Sequence, residues 1–286
     1  AAKQDSSKSV KPPKTTGGKS AKKPKKEDKE NGYRLIVRHM PSGGQDTIAY
    51  VKDYVLAKRA ANVLLHSTGI GDTLLFSANR RVSQNGIYQL DLQRNIISAL
   101  WRGKGKFAQL ALEDQGRQAA FLLDSDTSKA RIRPWVLCHS TLMQDSIRVI
   151  ANAQSSFMPG SDKKDAAWVI SENTRPVFSE DASKLYFGIA PPAVLNDTTL
   201  LPEEIVNVEV WSWTENRMYT QQKVNLENDK KRSYPVVWYT LKNKFVTLGS
   251  PEIPSVAFQE QRDADIALGI SEEPYLKASS WEGASH

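Results

Sequence analysis

The chain has 286 residues, 40% of them hydrophobic and 8% aromatic, which is enough to bury a substantial core in one large all-β domain or two ordinary ones. Its net charge of +7 suggests nucleic acid until it is located: residues 1–32 hold ten lysines and four acidic residues, and the remainder holds 29 basic against 28 acidic ones. The single cysteine, Cys138, excludes an intrachain disulfide or a cysteine metal cluster; no apolar run approaches the roughly 18 residues that cross a bilayer, and the N-terminus lacks an apolar signal segment.

Residues 1–32 are rich in Lys, Ser, Pro, Gly, Asp and Glu, with Val10 the only large aliphatic side chain. Such a stretch buries too little apolar surface to offset its ordering entropy, so it is expected to be a disordered, Lys-rich linker. Lys22-Lys23-Pro24-Lys25-Lys26 has no aromatic residue interleaved before Tyr33, so it reads as a solvated spacer and no nucleic-acid partner is expected. Gly17-Gly18-Lys19-Ser20 is not a phosphate loop, because the first glycine of that motif falls on Pro13.

From Tyr33 the texture changes to short runs rich in β-branched and aromatic residues, separated by turn residues. Tyr33 to Arg38 reads as a strand and Pro41-Ser42-Gly43-Gly44 as a turn. Further strands are expected at 72–76, 86–92, 96–101, 135–138, 208–213, 236–241 and 245–248. No helical period of 12 residues is evident, and the best helical candidate is a single turn at Leu201-Pro202-Glu203-Glu204-Ile205. The body, 33–286, reads all-β.

One pattern recurs: an apolar run, a polar tight turn and a second apolar run. Val55-Leu56-Ala57 leads to Val63-Leu64-Leu65, Leu110-Ala111-Leu112 to Ala119 and the four apolar residues after it, Val177-Phe178 to Leu185-Tyr186-Phe187, and Val256-Ala257-Phe258 to Ile266-Ala267-Leu268. Four copies at spacings of roughly 55 to 80 residues point to one supersecondary unit used repeatedly, with room for about four strands in each. Four-stranded antiparallel sheets repeated radially make a β-propeller, here of about four blades. A blade cannot bury both faces alone, so a chain of four blades is expected to leave one apolar face open. A β-sandwich with look-alike hairpins is the bland alternative.

The run Arg175-Pro176-Val177-Phe178-Ser179-Glu180-Asp181-Ala182-Ser183-Lys184-Leu185-Tyr186-Phe187 resembles the "Pro-x-Phe-Ser-x-Asp-Gly-x-x-Leu-x-Phe" signature of TolB-like and WD-repeat-like blades. Pro176, Phe178, Ser179, Asp181, Leu185 and Phe187 carry the match. Ala182 stands where the pattern has glycine, which argues against a tight left-handed turn. Together with Asp197-Thr198-Thr199-Leu200, Val210-Trp211-Ser212-Trp213, residues 221–227, Lys231-Arg232-Ser233-Tyr234, Pro254-Ser255-Val256, Tyr275 and Ser280-Trp281-Glu282-Gly283, the chain is similar to the propeller of a bacterial branch of the prolyl oligopeptidase family.

The resemblance covers roughly 33–283. It implies a non-catalytic segment that gates and scaffolds a serine peptidase, with a C-terminal α/β-hydrolase domain and peptide substrates as partners, in the periplasm or outside the cell. That hydrolase domain would carry the triad and a G-x-S-x-G elbow, which this chain lacks; no catalytic, cofactor or metal residue is assigned here. A stand-alone TolB-like interaction propeller is the alternative.

Other features have ordinary readings. Glu203-Glu204 and Glu272-Glu273 invite comparison with paired glutamates that hold a peptide amino terminus, yet adjacent glutamates are usually solvated loop. His66, following a strand, and His139, following Cys138, read as packed or surface residues, and Cys138 as a small packed apolar group. Asn196-Asp197-Thr198 fits a glycosylation sequon. The seven tryptophans read as blade packing, and Asp181 as a turn residue.

Overall fold

A computed structural model of the chain describes residues 32–68, 74–75, 80–81, 85–94, 96–126, 132–141, 146–160, 167–193, 212 and 214–282. Three antiparallel sheets follow one another along it. The first contains β1 (Tyr33–Arg38), β2 (Gln45–Leu56), β3 (Asn62–Ser67), β6 (Gly86–Asp91) and β7 (Ile96–Arg102) in the order β1-β2-β3-β6-β7; the short β4 (Leu74–Leu75) and β5 (Arg80–Arg81) pair with each other. The second is a meander of β8 (Lys106–Leu112), β9 (Gln118–Asp124), β10 (Val136–Thr141) and β11 (Ser146–Ala151).

In the third sheet the first strand is split into β12 (Val169–Ile170) and β13 (Val177–Phe178), both paired with β14 (Lys184–Ala190). Helix α1 (Tyr219–Lys230) precedes β15 (Tyr234–Tyr239) and β16 (Lys244–Thr247), which complete that sheet. A hairpin of β17 (Ser255–Ala257) and β18 (Leu268–Ile270) follows, then a short 3₁₀ turn and helix α2 (Leu276–Glu282). Sequential four-stranded antiparallel units of this kind make the fold a partial β-propeller: three blades, and a fourth represented by its first hairpin.

The period of two along β9 explains how the blades pack. Ala119, Phe121 and Leu123 on one face join Leu64, Ile87 and Leu100 of the first blade, while Ala120 and Leu122 on the other join Leu185, Phe187, Val236 and Trp238 of the third. Every residue of β9 after Gln118 is buried. An alternating polar face would be wrong here, because both faces meet a neighbouring sheet. Each Leu or Phe so buried contributes about 1.5–3 kcal/mol relative to exposure.

Two expectations gain detail and one is corrected. The outward face of the first blade, with Val63, Leu65, Tyr88 and Leu90, is not open: Ile48 of β2 joins it, and Leu35 and Val37 of β1 pack against it. Exposed apolar side chains gather instead around the fourth hairpin, at Ile253, Ile266, Leu268 and Ile270, with Leu268 67% exposed. The body is mostly β, and within it α1 is a 12-residue helix with no buried residue. Lacking a face to bury, it has no apolar stripe to announce it; good intrinsic formers and the ion pairs Lys230–Glu227 (2.9 Å) and Arg232–Asp229 (2.7 Å) act locally. Finally, Ala182 does adopt a left-handed turn, at φ +61°. The strand expected at 208–213 lies outside the described residues except for Ser212, and the turn at 201–205 lies wholly outside them.

The first strand of each blade is interrupted. Tyr50 in β2 (φ +60°) sits in the register shift between β1 and β2 and Gln109 in β8 (φ +54°) in that between β8 and β9, and the third blade has the break between β12 and β13. Two bonds join these interruptions: Gln109 Nε2 donates to the Glu172 carbonyl (2.6 Å), and Arg175 Nε donates to the Leu110 carbonyl (2.7 Å).

Candidate functional site

The four hairpins each join the first strand of a blade to its second, which brings their turns to one end of the sheets. Their turns are built alike. Backbone bonds Ala57 N to Asn62 O (2.9 Å), Glu113 N to Gln118 O (2.9 Å) and Ser179 N to Lys184 O (2.9 Å) close the first three. Gly116, Ala182 and Arg262 then take equivalent left-handed positions, each donating its backbone N–H to the carbonyl three residues earlier. Side chains hold the strained corners. In the second hairpin the Glu113 carboxylate accepts from the N–H groups of Gln115 (2.9 Å) and Arg117 (3.1 Å). The third divides this work: Ser179 Oγ accepts from Lys184 N (2.9 Å), and Asp181 accepts from Ser179 Oγ (2.6 Å) and Ser183 N (2.9 Å). Burial pushes the Asp181 carboxyl up, but these bonds outweigh it and hold its pKa below the usual range.

The turns are also laced to one another. Arg59 N donates to Asp114 O (2.7 Å), Lys58 pairs with the Asp114 carboxylate (3.1 Å), and the Arg59 guanidinium bonds Glu180. Gln118 Nε2 donates to Ala182 O (3.1 Å), and Glu180 N donates to Gln261 O (2.9 Å). Lys184, buried in the third hairpin, bonds the Asp263 carbonyl and pairs with Asp265 (2.9 Å), while Tyr186 Oη donates to Arg262 O (2.9 Å).

Two clefts open on this rim. One, of about 230 Å³, lies where the hairpins converge and is lined by Lys58, Arg59, Asp114, Glu180, Glu260 and Arg262 over an apolar floor of Val177 and Phe178. The other, of about 290 Å³, lies between the second and third blades and is lined by Gln118, His139, Thr141, Arg148, Trp238 and Thr240.

In the second cleft His139 packs edge-on against Trp238 at 4.9 Å, and Arg148 lies 5.7 Å over the same indole. Gln118 spends its amide N–H on Ala182 O, so its Oε1 faces His139 Nε2 at 2.9 Å and accepts a hydrogen bond from it. The imidazole is therefore the neutral Nε2–H tautomer. Burial, reinforced by Arg148, pushes its pKa down to about 4.

The residues singled out by the sequence fall into place as follows. Pro176, Ser179, Leu185 and Phe187 are buried, Phe178 is half-buried, and Asp181 is exposed at the turn. His66 lies within β3 and not after it; burial lowers its pKa, and Nε2 meets Asn85 Oδ1 at 3.0 Å. Cys138 is fully buried, which pushes its thiol up to about 12. Trp135 bonds Glu172 (3.0 Å) and Trp238 bonds Asn243 (3.1 Å). Glu272 and Glu273 are exposed, with Glu273 accepting from Asn216; Glu203, Glu204, Trp211, Trp213 and the sequon at 196–198 lie outside the described residues.

Sequence reasoning missed Lys58, Arg59, Asp114, Glu180, Glu260 and Arg262. A signal existed, because Lys58, Asp114, Glu180 and Glu260 occupy the same position in four equivalent turns.

No family model matches the chain, and no curated protein matches it. Among solved structures it is similar to the tricorn protease, with 10% identity and a TM-score of 0.38 over 82% of this chain and 26% of that one. It is also similar to a putative TolB from Agrobacterium tumefaciens (10% identity, TM-score 0.32, 76% of this chain and 73% of that one). An oligogalacturonate lyase from Vibrio parahaemolyticus shares 9% identity at a TM-score of 0.29, over 82% and 76% of the two chains. The chain thus spans about a quarter of the tricorn protease chain. The fold assignment rests on the sheets described above. No helix among the described residues is long and apolar enough to cross a membrane.

Proposed function

We propose that this chain is the β-propeller segment of a serine peptidase similar to the prolyl oligopeptidase family, acting as gate and scaffold while an α/β-hydrolase domain outside it performs peptide hydrolysis. In this reading residues 1–32 are a Lys-rich linker, residues 33–286 are the propeller segment, and the parent enzyme works in the periplasm or outside the cell. The supporting observation is the third hairpin, where Ser179 and Asp181, which resemble the blade signature of TolB-like and WD-repeat-like propellers, close the turn through their own side chains. A rim laced from blade to blade suits a gate, because it resists local opening.

The mixed-charge clefts favour a second reading, a stand-alone propeller that binds partners through its loops. One experiment separates the two. Native protein is detected in its source cells with an antibody to this segment and treated with a fluorophosphonate probe. A labelled species far above 31.9 kDa is expected; an unlabelled species near that mass would replace the gate with the interaction module.

A further inference from the structure

The cleft where the hairpins converge is balanced in charge, but its balance is not uniform. Lys58 is matched by Asp114 and Arg59 by Glu180, so four of its six ionic groups neutralise one another within the rim. Glu260 and Arg262 are left. Among the described residues no cation lies within ion-pair distance of Glu260, although Asp114 and Glu180 at the equivalent turn position are both paired. The Arg262 guanidinium is held over Phe258 (5.0 Å) and Tyr186 (5.4 Å) and likewise has no carboxylate partner there. The pair do not satisfy each other, because Arg262 takes a left-handed backbone (φ +59°) whose side chain is stacked on the two rings.

One tight turn, closed by Arg262 N to Gln259 O (3.1 Å), therefore presents an open carboxylate and an open guanidinium to one small cavity. A dianion such as phosphate is disfavoured by Glu260, and a simple amine by Arg262. A ligand carrying both signs satisfies both. At about 230 Å³ the cavity lies below the usual size of a drug-like pocket, about 300–1,000 Å³, which limits the ligand to a small one.

We propose that this cleft binds a free amino acid with an apolar side chain. Arg262 takes the α-carboxylate and Glu260 the α-ammonium through charge-assisted hydrogen bonds, and Val177 with Phe178 receives the side chain. The inference is independent of the peptidase reading, since it concerns a site wholly within this chain.

Calorimetric titration of the full chain with L-leucine tests it, alongside N-acetyl-leucine, which lacks the ammonium, and leucinamide, which lacks the carboxylate. Leucine is expected to bind, and each blocked form to bind at least about tenfold more weakly. Glu260→Gln, at an exposed turn position, should weaken leucine by a similar factor without altering the thermal transition, and Arg262→Gln should abolish binding. Glycine in place of leucine should bind more weakly, for want of the apolar contact. No heat with leucine, or equal binding of leucine and either blocked form, would overturn the proposal whatever the outcome of the probe-labelling experiment.

Discussion

The guanidinium of Arg59, in the first hairpin, bonds the carboxylate of Glu180, 121 positions later in the third. The bond passes over the intervening blade, whose own turn is held by Lys58 beside it. Both side chains are partly solvated, so the pair sets geometry more than stability. Arg59→Glu should lower the melting temperature and Glu180→Arg likewise, while the double reversal restores most of the loss. The coupling read from that cycle should shrink as salt is raised. Additive losses would mean that the two hairpins are not joined through this pair.

His139 makes stability pH-dependent in a defined window. Its folded pKa of about 4 lies below the ordinary 6.5, so the folded state resists taking the proton that the unfolded chain accepts. The contribution is whole above pH 6.5 and is lost as pH falls from there to 4, by about 3 kcal/mol at the lower limit. Denaturant titrations of the wild type and His139→Gln at pH 7.5 and 4.5 should show the variant losing less stability between the two. Equal losses would place the acid sensitivity elsewhere.

Ala182 occupies a left-handed corner that costs a residue with a Cβ about 1–2 kcal/mol. Ala182→Gly relieves this at some cost in unfolded-chain entropy, so a net gain of about 1 kcal/mol is expected in urea unfolding. The same change at Ala60, the matching position of the first hairpin, where φ is not positive, should destabilise.

Phe121 is fully buried between the first and second blades, and Phe121→Ala should cost about 3–5 kcal/mol. Leu268→Ser removes an exposed side chain from β18 and should leave the urea midpoint nearly unchanged while lowering the tendency to self-associate, as read by light scattering. A large loss of stability from the second change would show that β18 is covered in solution.

The hairpins were legible in the sequence because each pairs two apolar runs across residues that favour turns, and because the pattern returns. Other elements hide for physical reasons. Helix α1 buries nothing, so no periodicity marks it. Ser146–Ala151 alternates weakly at a blade edge, and the break in the third blade's first strand divides it into pieces of two residues. Ala182 misled because side-chain bonds from Ser179 and Asp181 compensate for a missing glycine. The cleft was missed for a different reason: its walls come from residues near 58, 114, 180 and 260, and only their shared position in four equivalent turns hints that the fold makes them neighbours.

β1 lies over the outer side of the first blade, and each later blade rests on the one before it. Of the three sheets, the first thus leaves a ribosome with its cover already synthesised. The second and third are each made after the sheet they pack on, so their order of packing matches the direction of translation.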